Sequence, residues 1–451
     1  MGTYIPHTDD EVEAMLAFLG LSSVDELFAA VPEAVRLQHA LELADGQSEP
    51  DVLARMEALG ARNRARTDRL VCFAGGGVYD HEVPPVVRAL AGRSEFVTSY
   101  TPYQAEVAQG VLQAVFEYQT LVARIAGLPV ANASLYDGGT AAVEAVNLAV
   151  AATGRQTVWV SAGVHPHWRK MLGTYSAGTG HRLRTVPLAG GTTEWPAPDQ
   201  GPRGEEPPAA LVVAYPNYLG CLEDLGAARA VCDEAGALLV AAADPVAAGV
   251  CRSVGDWGAD VMVGEGQVFG TPLGFGGPYL GLFATADAHV RRLPGRLVGE
   301  TRDAAGRRAY VTTLRTREQD IRREKATSNV CTNQTLMAVT AAVQLGWLGT
   351  SGLAELARRA ASATRYTRES LLRLPGVEPL VEAPVVREFA LRLPIPAAVA
   401  VDRMAEAGFL AGIALGEEYA PDRSGLLVAV TERRTREEID AYVTAMEKAL
   451  A

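Results

Sequence analysis

Lysine is the residue that this chain most clearly lacks. Only three of its 451 residues are lysines, Lys170, Lys325 and Lys448, and arginine supplies the other cationic side chains apart from histidine. No lysine lies between residues 244 and 281, where two predicted strands are followed by a glycine-rich loop. Chemistry that needs a side-chain amine in that stretch is therefore excluded for this chain.

Cysteine is also scarce, and the five cysteines show no CxxC or other metal-ligand spacing. The odd count favours reduced thiols, and the start of the chain lacks a basic and apolar leader, so we expect a cytoplasmic protein. No apolar run approaches the ~18–20 residues of a membrane helix. The net charge of −12 argues against nucleic acid or an anionic membrane surface as the main partner.

The chain is long and apolar enough for a large α/β domain with a smaller one beside it, with 48% apolar and 21% charged residues. Predicted strands and helices alternate from residue 157 to residue 263. Such alternation implies crossover connections and a large, mostly parallel sheet with helices on both faces.

Three regions are predicted along the chain. Residues 1–70 form a helical arm, in which Thr8 with Glu11 and Ser23 with Glu26 have the capping-box spacing. The two regions after the arm are separated by a hinge that begins at Gly349. They are a large α/β domain, 71–348, and a small C-terminal α/β domain, 349–451.

Two of the predicted strands end at one candidate ligand crevice. The apolar run 237–243 ends at Asp244, and the run 259–263 leads into a loop with six glycines. The carboxyl ends of buried parallel strands commonly line such a crevice. In the loop the chain has Gln267, whose amide nitrogen cannot act as a nucleophile because its lone pair is delocalised into the carbonyl.

A small-residue turn precedes another predicted helix. The backbone N–H groups of Gly138, Gly139 and Thr140 can attract an anion, with help from the helix dipole. Asp137 lies in the same turn and would repel a phosphate, so an ordinary N-cap is an equally good interpretation. His165, in the sequence HPHW, lacks the i,i+4 spacing of a helical metal pair, and we predict no metal site.

Two further polar segments are candidates for the edge of a cleft. The sequence from Thr101 is typical of a helix start and predicts the longest regular helix, with Val107 in its buried stripe. Polar side chains cluster at this start, namely Tyr100, Tyr103, Gln104 and Glu106. Residues 323–333, REKATSNVCTN, precede a long apolar helix and are predicted to form a site edge or a subunit seam.

The order of strand, aspartate, strand and glycine-rich loop resembles the pyridoxal-phosphate (PLP) enzymes of the aspartate aminotransferase fold. In that family the aspartate holds the pyridine nitrogen and a lysine one strand later forms the Schiff base; the matching residues here are Asp244 and Gln267. Four segments resemble more specifically the P protein of the glycine cleavage system, glycine dehydrogenase (decarboxylating), and its first bacterial subunit. They are YTPYQAE (100–106), NASLYDG (132–138), LGFGGP (273–278) and REKATSNVC (323–331).

The resemblance implies an enzyme that condenses glycine with PLP, releases CO₂ and passes the aminomethyl group to the lipoyl arm of the H protein. It also implies that the PLP lysine belongs to subunit 2, that this chain carries no covalent PLP, and that the two subunits form an α₂β₂ complex. A vestigial cofactor pocket would contain Asp244, Gln267, Gly138, Gly139, Thr140 and His165, the last able to stack on a cofactor ring. Candidate residues for the glycine and lipoyl channel are Tyr100, Tyr103, Glu106, Lys325, Thr327, Ser328 and Asn329.

Two other functions stay open from the sequence. A self-contained PLP-dependent decarboxylase or aminotransferase would need a lysine elsewhere, such as Lys325, although its position after the sheet disfavours that role. A purely structural subunit would place no residue in the channel. The first alternative predicts that the isolated chain binds PLP covalently, and the second predicts that substitutions at Tyr103, Glu106 and Asn329 leave turnover unchanged.

Overall fold

The computed structural model describes residues 6–39, 41–63, 70–99, 102–197, 206–274 and 276–451. The chain divides into two compact units, residues 1–63 and residues 64–451, and each is described by itself. The predicted boundaries at residues 70 and 348 stay predictions. Tyr100 and Thr101, a candidate channel residue and a predicted helix start, lie outside the described residues.

The N-terminal unit, residues 1–63, is helical where it is regular. Its predicted capping box at Thr8 is confirmed, since Glu11 N donates to Thr8 Oγ1 and Thr8 N donates to the Glu11 carboxylate at 2.8 Å. The second predicted box is wrong, because Ser23 makes no cap and Glu26 accepts from Ser22 N instead. The elements are α1 (Asp9–Leu19), 3₁₀ turns at Val24–Phe28 and Glu33–Val35, and α2 (Glu49–Gly60).

The second unit contains the predicted alternation of strands and helices. The elements up to the glycine-rich loop are β1 (Val71–Cys72), α3 (Pro85–Ala91), α4 (Ser94–Val97), α5 (Gln109–Ala126), β2 (Val130–Ala131), α6 (Gly138–Thr153), β3 (Thr157–Ser161), α7 (Pro166–Thr179), β4 (Arg182–Val186), β5 (Leu188–Ala189), β6 (Thr192–Thr193), β7 (Ala210–Tyr215), α8 (Leu225–Ala235), β8 (Leu238–Ala243) and β9 (Val261–Glu265).

After that loop the same unit continues with strands and helices that close the large sheet and build a second, smaller one. They are β10 (Gly281–Thr285), β11 (Leu297–Arg302), β12 (Arg308–Thr313), α9 (Gln319–Arg322), α10 (Thr335–Leu371), β13 (Glu378–Pro379), β14 (Glu388–Arg392), α11 (Ala397–Glu406), β15 (Phe409–Leu410), β16 (Ile413–Ala414), β17 (Gly425–Ala429) and α12 (Arg436–Leu450).

The large sheet has the strand order β2-β10-β9-β8-β7-β3-β4. Neighbours from β9 through β8, β7 and β3 to β4 run parallel, whereas β10 pairs antiparallel with β9 and β2. The mostly parallel sheet predicted from the alternating elements is thus confirmed. Because β7, β8 and β9 are adjacent and parallel, the residues that follow them meet at one edge of the sheet.

Both faces of this sheet are covered, as the continuous apolar strands predict. In β7, Leu211 and Val213 face one core with residues of α5, α8 and α10. The alternate residues of the same strand, Ala210 and Val212, face another core with residues of α6 and α7. This period-two alternation between two buried faces is what a strand at the centre of a three-layer unit requires.

The smaller sheet has the order β13-β14-β17-β16 and is entirely antiparallel. A third core lies between it and the helices α11 and α12, with Phe389, Val428 and Tyr442 among its buried side chains. Phe73, which follows strand β1, stacks on Tyr442 with a centroid distance of 3.9 Å. The predicted C-terminal α/β region therefore also takes up the chain around residue 73.

Helix α5 begins at Gln109, later than the start predicted from Thr101, and Val107 is 81% exposed instead of buried. The cause is tertiary. The Gln109 side chain donates to the carbonyls of Ala105 (2.7 Å) and Tyr310 (2.8 Å) and accepts from Tyr310 N (2.9 Å). This contact with strand β12 sets the first turn of the helix and overrides the local start signals.

Helix α10 is the longest helix in the described residues, which corrects the prediction for the helix after residue 101. Gly349, with φ 61° and ψ −177°, interrupts it. By length and composition α10 could cross a membrane, but a core helix passes the same test. The interruption leaves a first segment, 335–348, that is shorter than the ~20 residues a span needs. The second segment, 350–371, contains six charged residues, so α10 gives no support for a membrane span.

Replacing Gly349 by alanine is expected to destabilise the chain by about 1–3 kcal/mol, because its backbone lies in a region that is essentially restricted to glycine. The matched control is Gly346→Ala in the regular part of α10, which should stabilise by about 0.5–1 kcal/mol. A methyl group meets no atom within 4 Å at either position, so packing does not enter the comparison. Thermal unfolding of the two variants measures the difference, and equal shifts would show that the interruption is absent in solution.

Candidate functional site

A cleft lies at the edge of the large sheet where β7, β8 and β9 end. It has about 650 Å³ of empty space, part of it open to solvent. Two of the predicted pocket residues, Asp244 and His165, line it. The other lining side chains come from the turn after β1, from α7, from the ends of the strands and from the start of β14; they include Tyr79, Trp168, Asn217, Tyr218, Glu265, Arg387 and Glu388.

The carboxylate of Asp244 is already paired within the chain. One oxygen accepts from Val246 N at 2.9 Å, and the other accepts from the guanidinium of Arg387 in a buried ion pair. The Arg387 guanidinium also lies 3.5 Å from the ring centroid of Tyr79 and 2.5 Å from a ring nitrogen of His81. The aspartate that would hold a pyridine nitrogen is therefore neutralised by an internal cation.

Gln267 is 1% exposed, and its amide joins two backbone segments. Its oxygen accepts from Tyr79 N at 3.0 Å, and its nitrogen donates to the carbonyls of Tyr79 (3.1 Å) and Thr271 (2.6 Å). Both ends of the amide are thus used to hold the turn after β1 against the glycine-rich loop. Gln267, the residue in the lysine position, therefore has a structural role.

The start of α6 is occupied by carboxylates. Gly138 N donates to Glu265 Oε2 at 3.0 Å, and Asp137 caps the helix by accepting from Thr140 N at 2.8 Å. A methyl group on Gly138 would lie 2.2 Å from Trp168, so only glycine allows this ring to cover the turn. Of the two interpretations of the turn, the N-cap is the one that the geometry shows.

The carboxylate of Glu265 lies at the turn before α6, where the sequence predicts that an anion can bind. Its second oxygen accepts from Gln267 N (3.0 Å) and Leu280 N (2.9 Å), so three backbone N–H groups converge on it. Burial raises the pKa of Glu265 to about 7, and the three N–H donors partly oppose that rise. His165 stands across the cleft, where burial lowers its pKa to about 4 and Tyr218 packs edge-on at 5.0 Å.

These residues do not fit PLP in the way that the fold holds it. The amine is replaced by an amide with three backbone partners, the N–H group of Gly138 is taken by Glu265, and Asp244 is paired with Arg387. Among the described residues, no group of three or more His, Cys, Asp or Glu side chains is placed to hold a metal ion either. In this chain the groups at the lysine, phosphate and aspartate positions are all bonded to other residues of the same chain.

The second predicted cluster is organised by Arg296, which is 5% exposed. Its guanidinium donates to Tyr103 Oη (3.0 Å), Thr332 Oγ1 (3.0 Å), Asn333 Oδ1 (3.2 Å) and the carbonyl of Cys331 (3.0 Å). It therefore joins the segment around residue 103 to the segment 331–333, two of the sequence motifs that looked like a site edge.

The polar segment 323–333 also contacts α6. Ser328 is half-buried beside the carboxyl group of Glu144, and Tyr136 Oη accepts from Cys331 N at 3.2 Å. Glu144 and Gly138 lie on the same helix, about 9 Å apart along its axis. The predicted channel residues that remain at the surface are Tyr103, Glu106, Lys325, Thr327 and Asn329.

Sequence reasoning missed four residues that organise these clusters. Glu144 had a signal, because it is a lone acid in an otherwise apolar helix, and Glu265 had one, because it ends an apolar strand. Arg296 and Arg387 had a weaker signal, because arginine is common in this chain; Arg296 stands directly before Leu297 and Val298, whereas Arg387 is followed by Glu388. Their partners are distant in the sequence, so the pattern alone did not predict them.

The fold class follows from these observations and from a structural neighbour. The chain is similar over 94% of its length, with a TM-score of 0.64 and 16% identity, to 94% of a sphingosine-1-phosphate lyase from Burkholderia pseudomallei. At that identity the likeness is one of fold alone. With the parallel sheet, the aspartate after β8 and the turn at α6, it defines the predicted PLP-dependent transferase fold.

The chain belongs to the glycine cleavage system P-protein family, which matches residues 2–446. It is 46% identical, over 100% of both chains, to the Moorella thermoacetica protein called probable glycine dehydrogenase (decarboxylating) subunit 1. It is also similar to the crystal structure of the inhibitor-bound glycine decarboxylase (P-protein) of the glycine cleavage system, with a TM-score of 0.92 and 46% identity over 100% of both chains. The family resemblance of the four sequence segments is confirmed.

Gln267→Lys is expected not to restore an imine with PLP, because Glu265 still accepts from Gly138 N and Arg387 still pairs with Asp244, so the partners that PLP would need are taken. The variant should lose about 2–4 kcal/mol of stability, since backbone groups of Tyr79 and Thr271 lose their partner. Borohydride reduction after incubation with PLP, followed by peptide mass spectrometry, tests the first part. Gln267→Met is the control for lost hydrogen bonds, and PLP fixed at position 267 would contradict the interpretation.

Glu144→Gln is expected to change how stability depends on pH. Burial raises the pKa of Glu144 from 4.5 to about 7, and its Oε2 has no hydrogen-bond partner in the described residues. A raised carboxyl pKa means that the folded chain holds the proton more tightly, so stability falls as pH rises from about 4.5 to about 7. This loss, up to about 3 kcal/mol, should be absent in the variant.

The measurement is the melting temperature of the wild type and of Glu144→Gln between pH 5 and pH 8. The difference should move in favour of the variant as pH rises. Asn147→Ala, which removes a polar neighbour that lowers this pKa, should extend the fall in stability to a higher pH. Parallel curves for the wild type and Glu144→Gln would show that Glu144 titrates normally.

Proposed function

We propose that this chain is subunit 1 of a glycine decarboxylase of the glycine cleavage system. With a PLP-carrying subunit 2 it decarboxylates glycine and passes the aminomethyl group to the lipoyl arm of the H protein. The observation that carries the proposal is the full-length match at 46% identity to proteins named glycine dehydrogenase (decarboxylating) subunit 1. We also propose a cytoplasmic α₂β₂ complex.

The contacts of Gln267, Glu265 and Asp244 support placing PLP on the partner subunit. An amide in the lysine position cannot form an imine, and its three backbone hydrogen bonds hold it in a different role. When bound to the partner, PLP supplies the electron sink for the carbanion formed on loss of CO₂. This chain completes the folded unit and borders the glycine and lipoyl channel.

Two of the proposed channel residues, Tyr103 and Ser328, are held in place before substrate arrives. Arg296 fixes the exposed Tyr103 through its hydroxyl, and the carboxyl group of Glu144 lies against Ser328. Side chains that are already ordered lose little conformational entropy when they contact a ligand, so they orient a substrate at low cost. Their proposed role is to orient glycine and the lipoyl arm and to exclude water. Besides Tyr103 and Ser328, the set contains Tyr100, Glu106, Lys325, Thr327 and Asn329.

Tyr103→Phe is expected to lower glycine–bicarbonate exchange of the reconstituted complex about tenfold, equivalent to about 1.4 kcal/mol of transition-state stabilisation. The change removes only the hydroxyl that Arg296 holds. Tyr175→Phe, another exposed tyrosine, on α7, is the matched control and should leave the rate unchanged. Unchanged exchange by Tyr103→Phe in an intact complex would favour the purely structural subunit.

Exchange assays of each chain alone and of the two together distinguish the proposed two-subunit enzyme from a self-contained PLP enzyme. The proposal predicts that this chain alone catalyses no glycine–bicarbonate exchange. It also predicts that borohydride fixes no PLP on this chain. Exchange by the isolated chain, with PLP reduced onto Lys325, would instead identify a self-contained PLP enzyme.

A further inference from the structure

The N-terminal unit, residues 1–63, shows no core of its own over residues 6–39 and 41–63. None of its described residues is buried. It holds fifteen of the twenty-five large apolar side chains that are exposed in the described chain, although it is a small fraction of the sequence. Phe18, at 90% exposure, is the most exposed of them. Apolar surface at this density is characteristic of a segment that is covered by another surface.

On each of the two α-helices of this unit, apolar residues form a stripe along one face. In α1 the residues Val12, Met15, Leu16 and Leu19 have the i, i+3, i+4, i+7 spacing of one helix face. In α2 the residues that share a face are Val52, Met56 and Leu59, with Leu53 beside them. Two amphipathic helices with exposed apolar faces can each lie in a groove of another protein.

The net charge of the unit indicates what kind of protein surface could cover its apolar stripes. Residues 1–63 contain twelve acidic and three basic side chains, so they carry −9 of the net charge of −12. Residues 64–451 carry the remaining −3. A second copy of this chain would therefore present a net negative surface to a strongly negative segment, which disfavours pairing between copies.

We propose that the N-terminal unit docks on subunit 2, with its apolar stripes in a groove that basic side chains rim. The inference rests on the proposed function, since it requires that a second subunit exists. It goes beyond that function by assigning the contact to α1 and α2 and by stating the chemistry of the partner surface. The acidic residues beside the stripes, such as Asp9 and Glu11 on α1, would face the basic rim.

The test is the affinity of the full chain for subunit 2, measured by titration, with Leu19→Asp on the apolar stripe of α1. A charge placed in a dry groove should weaken binding at least about tenfold. Ala17→Asp adds the same charge on the opposite face of the same helix and should change the affinity less than about twofold. Equal affinities for the two variants would overturn the proposal, whereas no binding even by the wild type would overturn the proposed function instead.

Two further measurements show whether α1 instead packs on its own chain or on a second copy. If α1 covers its own chain, Leu19→Asp lowers the melting temperature of the isolated chain, and if it covers a second copy, the variant dissociates an oligomer of this chain in sedimentation. Either result overturns the proposal. Binding of the wild type should also weaken several-fold when NaCl is raised from about 0.05 to about 0.5 M, because salt screens charge pairs. An affinity that does not weaken excludes the basic rim.

Discussion

The contact on which the cleft depends is the buried ion pair between Asp244 and Arg387. The arginine directly precedes β14 of the smaller sheet, and the aspartate follows β8 of the large sheet, so the pair joins the two sheets of the second unit. Burying either charge alone would cost several kcal/mol, because each would lose its hydration without compensation. Tyr79, stacked under the guanidinium and hydrogen-bonded to Glu388 at 2.6 Å, completes the packing of this junction.

The need to pair buried polar groups also explains the rest of the cleft. The edge of a parallel sheet next to a helix start gathers backbone N–H groups that need an acceptor. Glu265 provides it for the N–H groups of Gly138, Gln267 and Leu280, and Gln267 satisfies backbone groups of Tyr79 and Thr271. Polar groups at the edge of this sheet are thus paired within the chain, which is why the fold persists with an amide at the lysine position.

The polar segment 323–333 is ordered by different means. Arg296 binds two side chains and a carbonyl of residues 331–333 together with the hydroxyl of Tyr103. Glu144 reaches Ser328 from the apolar helix α6, at the cost of a carboxyl group whose pKa burial raises to about 7. Buried ionisable groups that are retained at such a cost fit a site in which the exact position of exposed side chains is needed. Glu144 also connects the segment to the same helix that borders the cleft.

The sequence by itself determined the fold class and the family. Alternating apolar strands and helices are local patterns, and four motifs and a missing lysine can be recognised without coordinates. The tertiary structure decided which groups meet. Gln109 sets the start of α5 through Tyr310, and Asp244 is paired with a residue 143 positions away. Local propensity contains no information about such distant partners, because they are brought together only when the sheets and helices pack.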